Sequence, residues 1–350
     1  MKRILIIKPS SMGDVLHAFP AVHGLKQSFP DAEIDWVIHP AFEELLDYLP
    51  LSGRRILFRR KELGSVKNFF REFPALVREL RKEKYDAVLD LQGLLRSALL
   101  GALTRSPRRY GPAELKESIA KCFYTGLLHW KAETAHALEK NCEMISGFLG
   151  GKTVPPRYTL PVVDKYVKRV DQLFQKENIP EAGKLIAIAP GARWVTKQWD
   201  SAAFAECARI LSVQLPEAHF LLLGSPGERE LCAAIGAALA GKVPCTDLCA
   251  KTSMGELPEV IRRSEVLLCN DSGPMHAAAA LQTPLVAFFA PTDPVLTGPY
   301  SGNSLVLTPD LPCLKCFRRE CASGKCRKAL SARKMADSVL ELLHKKGGKL

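Results

Sequence analysis

Short runs of apolar residues recur along the chain, and each ends in Pro, Gly or small polar residues before a stretch with helical spacing. In the first half these runs are RILIIKP, EIDWVIH, RRILF and YDAVLDLQG. Helical spacing follows in stretches such as residues 15–28 and 69–81. Because strands that alternate with helices favour parallel sheets with crossover helices, the first half predicts an α/β domain with a buried sheet.

The second half repeats the pattern after GGKTVPPRYTLP, whose Gly and Pro density is typical of a linker. Its apolar runs are LIAIAPG, HFLLLGSPG, SEVLLCNDSG and TPLVAFFAP. We therefore predict an α/β fold of two Rossmann-like, doubly wound domains that face each other across a cleft. The predicted segments are an N-terminal domain (1–155), a C-terminal domain (156–330) and a C-terminal helix (331–350) that packs back on the N-terminal domain.

Length and hydropathy limit the class of protein. The 350 residues exceed the usual size of one domain. No apolar run approaches the roughly 18 residues that a membrane-spanning helix needs. The first residues contain neither a long apolar region nor a small-residue cleavage site, so they do not predict a signal peptide. We expect a cytoplasmic protein.

The net charge of +12 favours an anionic partner such as a phosphorylated substrate, a nucleic acid or a membrane surface. Residues 54–84 hold eleven Lys or Arg against four Glu, although most such runs are simply solvated helix faces. The same region contains Phe69, Phe70 and Phe73. Burial in the core is the simpler interpretation of these rings, and a shallow membrane contact is the alternative.

Polar residues follow two strands of the second half. After Pro190 and Gly191 come Arg193, Thr196 and Lys197, which suit an anion but lack the spacing of a Walker loop, and a tight turn explains them equally well. In the turn LGSPGERE, Glu228 could accept hydrogen bonds from ribose hydroxyls or simply favour a helix N-terminus.

The run CNDSGPMHAAAA is more informative. A strand stops at Asp271, Ser272 and Gly273, and Pro274 suits the first turn of a helix. Free backbone N–H groups at such an N-terminus bind anions, and His276 lies within the same turn. A lone histidine is usually structural, so its position leaves both roles open.

The first strand ends in KPSSMGDVLH, which places one carboxylate, Asp14, at the strand-to-helix turn. SSMGDVLHAFPA, YDAVLDLQGLLRSAL, NDSGPMHAAAA and PTDPVLTGPY, in this order, resemble the ADP-heptose:lipopolysaccharide heptosyltransferases, most closely the heptosyltransferase I type. The resemblance implies a GT-B fold, inversion at the anomeric carbon and no metal requirement for catalysis. It also implies an ADP-heptose donor, a Kdo-lipid A acceptor and peripheral attachment to the inner face of the cytoplasmic membrane.

The resemblance also implies roles for individual residues. Asp14 would be the general base that removes the proton of the acceptor hydroxyl. The donor would be bound by Lys197, Glu228, Asp271, Ser272, Gly273 and His276. The acidic acceptor would be bound by Arg59, Arg60, Lys61 and Lys116. Lys116 stands where the family more often has Arg.

Four cysteines near the C-terminus form the pattern C-x2-C-x4-C-x4-C: Cys313, Cys316, Cys321 and Cys326. Four thiolates suit tetrahedral zinc, so a structural zinc site and free or redox-active thiols are both open. With the basic residues between them, they also suit a single-stranded nucleic-acid-binding knuckle. That alternative leaves the strand-end motifs unexplained, and we expect no nucleic acid partner.

The sequence leaves open which heptose addition the protein catalyses and which nucleotide sugar is the donor. The heptosyltransferase I type often lacks such a cysteine segment, which leaves heptosyltransferase II or a later core enzyme as alternatives. Another nucleotide sugar could occupy the same loops. A GT-B epimerase would need acid and base groups that the sequence does not show beside Asp14.

Overall fold

The computed structural model describes residues 1–180 and 183–347. The chain divides into two compact units, Met1–Pro161 and Val162–Leu350. We predicted from the sequence that the first domain ends at residue 155. None of the helices in the described residues is long and apolar enough to cross a lipid bilayer.

The first unit contains one six-stranded parallel sheet. Its strands are β1 (Arg3–Ile7), β2 (Glu33–Ile38), β3 (Arg55–Leu57), β4 (Ala87–Asp90), β5 (Arg109–Pro112) and β6 (Gly126–Leu128). Its helices are α1 (Met12–Ser28), α2 (Arg60–Leu63), α3 (Val66–Arg81), α4 (Leu95–Leu103) and α5 (Ala137–Phe148), with 3-10 helices at Pro40–Tyr48 and Ser118–Phe123.

The strand order of this sheet is β3-β2-β1-β4-β5-β6. Ile4 to Ile7 in β1 are fully buried, which is why this strand is a continuous apolar run and not an alternating one. The order reverses between β1 and β4, where Ile7 lies opposite Asp90. In doubly wound sheets ligands bind at the carboxyl end of such a switch point.

The second unit contains a separate six-stranded parallel sheet. Its strands are β7 (Lys184–Ala189), β8 (Ala218–Leu222), β9 (Cys245–Asp247), β10 (Val266–Asn270), β11 (Leu285–Phe288) and β12 (Ser304–Leu307). Its helices are α6 (Asp164–Lys176), α7 (Ser201–Gln214), α8 (Arg229–Leu239), α9 (Glu256–Arg262), α10 (Gly273–Leu281), α11 (Pro294–Thr297), α12 (Cys326–Ala329) and α13 (Ala332–Gly347), with 3-10 helices at Val195–Lys197 and Pro226–Glu228.

The second sheet has the order β12-β11-β10-β7-β8-β9, which is the same winding as the first. Its switch point lies between β7 and β10, where Ala189 is opposite Cys269. The predicted α/β class with two doubly wound sheets is therefore confirmed.

The C-terminal helix α13 packs on a different domain from the one that we predicted. We predicted that it packs on the N-terminal domain, but Met335, Ala336 and Val339 of α13 are fully buried in the core of the second unit. They share that core with Phe204 and Leu211 of α7. The apolar stripe of α13 thus covers the sheet of its own unit, which needs a helix layer on this face.

Candidate active site

Asp14 lies in the first turn of α1, just beyond the carboxyl end of β1. Ser11 is the N-cap residue of this helix, and both its backbone N–H and its hydroxyl donate to Asp14 Oδ2, at 2.8 and 2.9 Å. These bonds give Asp14 a capping role, because a carboxylate in the first turn accepts from donors at the helix N-terminus that have no acceptor within the helix. They also fix the carboxylate at the mouth of the switch point. Asp14 is only partly buried, so the arrangement leaves it accessible to a substrate hydroxyl.

A buried lysine and a buried aspartate lie behind Asp14. Lys8 directly follows β1, and its ammonium group donates to Leu91 O at 2.5 Å. Burial lowers the pKa of Lys8, while the charges of Asp14 and Asp90 act in the opposite direction. Burial raises the pKa of Asp90, although its carboxylate accepts hydrogen bonds from Tyr124 Oη at 2.6 Å and from the backbone of Gln92 at 2.8 Å. Neither residue was predicted from the sequence.

The predicted acceptor cations lie on two exposed segments of the first unit. Arg60 and Lys61 begin α2, Arg59 is its N-cap residue, and all three side chains are exposed. Both Arg60 and Lys61 lower the pKa of His39, to a smaller extent than burial does. Because His39 N–H donates to Pro9 O beside β1, this cluster lies near the same sheet edge as Asp14.

Lys116 is exposed on the loop that follows β5. The neighbouring Glu117 accepts the first free N–H of α4, from Leu95, at 2.5 Å. This contact ties the Lys116 loop to the carboxyl end of β4. No sequence pattern predicts this contact.

The aromatic residues of α3 are not buried in a core. Phe70 is 79% exposed and Phe69 is 38% exposed, while Phe73 is only partly buried. Phe69 stacks on Phe73 with ring centroids 5.0 Å apart, and Phe69 meets Phe70 edge to face. Exposed Lys67 and Arg71 flank the rings. The simpler interpretation, burial in the core, is wrong for Phe70.

In the second unit, Lys197 and Asp271 meet at the switch point. Lys197 ends the 3-10 turn after β7, Asp271 follows β10, and Lys197 Nζ lies 2.5 Å from Asp271 Oδ2. The ammonium group also lies 4.7 Å from the centre of the Trp194 ring. Thr292 donates its hydroxyl to the same Asp271 oxygen at 2.5 Å. Asp271 is only 5% exposed, so a charge-assisted network compensates its burial.

Asn270 joins the two sides of this switch point. Its amide donates to Pro190 O at 2.7 Å, and its carbonyl oxygen accepts from Trp199 N–H at 3.0 Å. The loop that presents Lys197 is therefore held at both ends by one fully buried side chain of β10. Trp199 is itself buried.

The N-terminus of α10 lies at the same β7/β10 switch point. Ser272 is its N-cap residue and Gly273 its first residue, and His276 in the first turn is buried. Ser272 Oγ is buried but has no hydrogen-bond partner among residues 1–180 and 183–347. Buried hydroxyls normally have a partner, and helix N-termini attract anions. The arrangement suits a bound anion such as a phosphate group.

Glu228 lies in the turn after β8. Its Oε2 accepts Ser225 N–H at 2.6 Å, and a Cβ added to Gly191 would overlap its Oε1. Gly191 therefore lets the Glu228 carboxylate pack directly against the loop after β7. The structure thus brings Glu228 to the loop that carries Lys197, and the capping role that the sequence left open is also present.

The cysteine segment lies against the loop of Lys197. Thr196 donates its hydroxyl to Arg318 O at 2.7 Å, and the Arg319 guanidinium lies 5.3 Å from the Trp194 ring centre. Burial raises the pKa of Cys326, and the nearby Cys321 and Cys313 raise it further. Within the described residues, no three of the four thiols lie within 4.8 Å of one another.

Comparison with known proteins gives one consistent result. The sequence pattern of Glycosyltransferase family 9 (heptosyltransferase) matches residues 73–327. Lipopolysaccharide heptosyltransferase 1 of Pseudomonas aeruginosa is 30% identical over 335 residues, which cover 91% of this chain and 87% of that protein. The Escherichia coli heptosyltransferase WaaC solved with ADP has 26% identity and a TM-score of 0.77, covering 97% of this chain and 99% of that one. Escherichia coli ADP-heptose lipopolysaccharide heptosyltransferase II shares the fold, with a TM-score of 0.81, 23% identity and coverage of 99% and 100%.

Proposed function

The chain belongs to glycosyltransferase family 9, the heptosyltransferases, and we propose that it moves L-glycero-D-manno-heptose from ADP-heptose to the Kdo region of lipopolysaccharide. This is the first heptose addition of the inner core. The relatives named heptosyltransferase 1 support this step. Two relatives named lipooligosaccharide heptosyltransferase 2 match 97% of this chain at 27% and 25% identity, so the second heptose addition is the alternative.

One observation carries the donor site. The Lys197–Asp271 pair, the N-terminus of α10 and the Ser272 hydroxyl, which has no hydrogen-bond partner among the described residues, all lie at the carboxyl end of the β7/β10 switch point. Lys197 and the helix N–H groups would bind the diphosphate of ADP-heptose and stabilise the charge that develops as ADP departs. Glu228 would accept hydrogen bonds from the ribose hydroxyls. His276 lies in the first turn of α10 and would contact the donor.

Asp14 would supply the general base in the first unit. Inversion at the anomeric carbon proceeds by direct attack of the acceptor hydroxyl, and the attack is easier when a carboxylate takes the proton as the bond forms. The two bonds from Ser11 occupy Oδ2, so the other carboxylate oxygen would receive that proton. Because Lys197 and the α10 N-terminus would supply the positive charge for the phosphates, the transfer step would need no metal ion.

The acceptor and the membrane would be bound by the basic face of the first unit. Arg59, Arg60, Lys61 and Lys116 would bind the carboxylates of Kdo and the phosphates of lipid A. The exposed Phe70 and Phe69, flanked by Lys67 and Arg71, suit a shallow contact with the inner leaflet from the cytoplasmic side.

Phe70→Asp should lower co-sedimentation with vesicles of anionic phospholipid, and Leu127→Asp, at another exposed apolar residue, is the matched control.

The test of function is transfer from ADP-heptose to two acceptors in parallel, Kdo2-lipid A and the same acceptor carrying one heptose. Product on Kdo2-lipid A alone supports the proposed step. Product only on the heptosylated acceptor favours the second addition. If neither acceptor is modified while ADP-heptose still binds, the acceptor assignment is wrong.

We also propose that Cys313, Cys316, Cys321 and Cys326 bind a structural zinc ion, which would have to draw these thiols together, because no three of them lie within 4.8 Å of one another among the described residues. The segment they span contacts the donor loop through Thr196, so zinc would help to hold that loop. Metal analysis of the purified protein should find zinc that is lost in Cys313→Ser/Cys316→Ser. Equal zinc content in both proteins would contradict this site.

A further inference from the structure

A second group of sulfur and oxygen ligands lies in the core of the second unit. Cys232 in α8, Asp247 at the end of β9 and Cys249 just beyond it place two sulfurs and a carboxylate oxygen within 4.8 Å of one another. Within residues 1–180 and 183–347, no other three His, Cys, Asp or Glu side chains are so closely grouped. No sequence pattern predicts this group, because Cys232 in α8 meets Asp247 and Cys249 only when the sheet forms.

The three side chains differ in exposure in a way that suits an ion entering from solvent. Cys232 is fully buried and Cys249 is 3% exposed, whereas Asp247 is exposed. Asp247 Oδ1 accepts the backbone N–H of Cys249 at 2.8 Å, which fixes the carboxylate beside the thiols. Burial raises the pKa of both thiols.

We infer that Cys232, Cys249 and Asp247 bind a thiophilic divalent cation of the zinc type. Zinc takes thiolate ligands at about 2.3 Å in tetrahedral geometry, which places two sulfurs just under ~4 Å apart and accepts a carboxylate as third ligand. Water would complete the coordination on the solvent side. Each cysteine releases its proton to solvent on binding, so the affinity rises with pH.

The site lies directly under the turn that carries Glu228. A Cβ on Gly224 would lie 3.0 Å from Cys249 Sγ and 3.1 Å from Cys232 Sγ, so both sulfurs contact the backbone of this turn. The Cys249 thiol donates to Ser225 O at 3.2 Å, and the N–H of Ser225 in turn binds Glu228. A metal-bound thiolate has no proton to donate. Metal binding therefore removes this bond and turns the contact into one between a thiolate and a carbonyl oxygen.

We expect the contact between Cys249 and the Ser225–Glu228 turn to couple the two sites, so that metal binding weakens ADP binding. This coupling rests on the proposed role of Glu228 in binding the ribose, whereas the metal site itself does not. If a bound metal displaces the Ser225–Glu228 turn, ADP binds more weakly, and by linkage ADP weakens metal binding by the same factor. When two sites in one protein are coupled, binding at one typically changes the affinity at the other by about fivefold to a hundredfold.

The test compares the full chain with Cys232→Ser/Cys249→Ser in Co²⁺ titrations, followed by the thiolate-to-metal absorption band. The wild-type protein should bind one more equivalent than the double variant, whatever the C-terminal cysteines bind. Cys207→Ala, at a buried cysteine outside the group, should behave like the wild type. Asp247→Asn should weaken the site by at least roughly tenfold, as loss of a carboxylate near a metal does. Equal stoichiometry in the wild type and the double variant would overturn the site.

Isothermal titration with ADP tests the coupling. Zn²⁺ should weaken ADP binding to the wild-type chain and leave ADP binding to the double variant unchanged. An equal effect on both proteins would overturn the coupling. If ADP binds neither protein, the proposed donor site fails, and the Co²⁺ stoichiometry still decides the metal site.

Should the double variant unfold, as judged by its circular dichroism, the single variant Asp247→Asn replaces it. This substitution is at an exposed residue and keeps an oxygen that can accept the Cys249 N–H. Co²⁺ affinity equal to that of the wild type in this variant would then overturn the assignment of Asp247 as a ligand.

Discussion

Lys197 Nζ lies 2.5 Å from Asp271 Oδ2, although the two residues come from different strand ends of the second sheet. Asp271 is almost fully buried and also accepts the Thr292 hydroxyl. The pair therefore fixes a cation in place before any donor arrives. An ammonium group held in this way loses little side-chain entropy when it binds a phosphate.

Lys197→Ala should weaken ADP binding by roughly tenfold to a hundredfold, since a hydrogen bond to a charged group contributes about 1.5–3 kcal/mol. Isothermal titration with ADP measures this loss. Lys315→Ala removes an exposed lysine that pairs with Asp293 at 2.9 Å and serves as the control. Equal ADP affinity in the wild-type protein and Lys197→Ala would contradict the phosphate role.

Asp14→Asn separates the capping role of this residue from its proposed catalytic role. The Asn side-chain oxygen can still accept a bond from Ser11, so the start of α1 and the thermal stability should be largely retained. The amide cannot take the proton, so kcat should fall roughly a hundredfold or more. Transfer assays and ADP titration give the two readouts, and ADP affinity should not change. A kcat above about a tenth of the wild-type value would show that Asp14 is not the base.

The strand ends could be predicted from the sequence, whereas the contacts between them could not. Apolar runs such as β1 and β10 stop at polar residues, and parallel strands gather those residues at one sheet edge. Asp14 and Asp271 can be predicted in this way. Lys8 and Asn270 cannot, because each looks like the end of an apolar strand and its hydrogen-bond partners lie on neighbouring segments.

The position of α13 was mispredicted for a related reason. An apolar stripe shows that a helix packs against something, but the stripe of Met335, Ala336 and Val339 fits any apolar surface. The structure buries it on α7 of the same unit. The Cys232–Cys249 group was equally invisible, since α8 and the strand end after β9 meet only when the sheet forms.

His23 makes the stability of the first unit depend on pH. Burial lowers its pKa below 6.5, and its Nδ1 is buried without a partner among the described residues. The unfolded chain then binds more protons than the folded chain between the folded pKa and 6.5. The contribution of His23 is therefore fully present above pH 6.5 and is lost as the pH falls through this window.

His23→Phe keeps a ring against Tyr158, whose centroid lies 4.9 Å from that of His23, and removes the titrating group. Between pH 7.5 and 5.5 the Tm of this variant should fall by roughly 1–3 °C less than the wild-type Tm. Differential scanning calorimetry at the two pH values measures the difference. His129→Asn, at an exposed histidine, is the matched control. Parallel Tm curves for the wild type and His23→Phe would rule out this contribution.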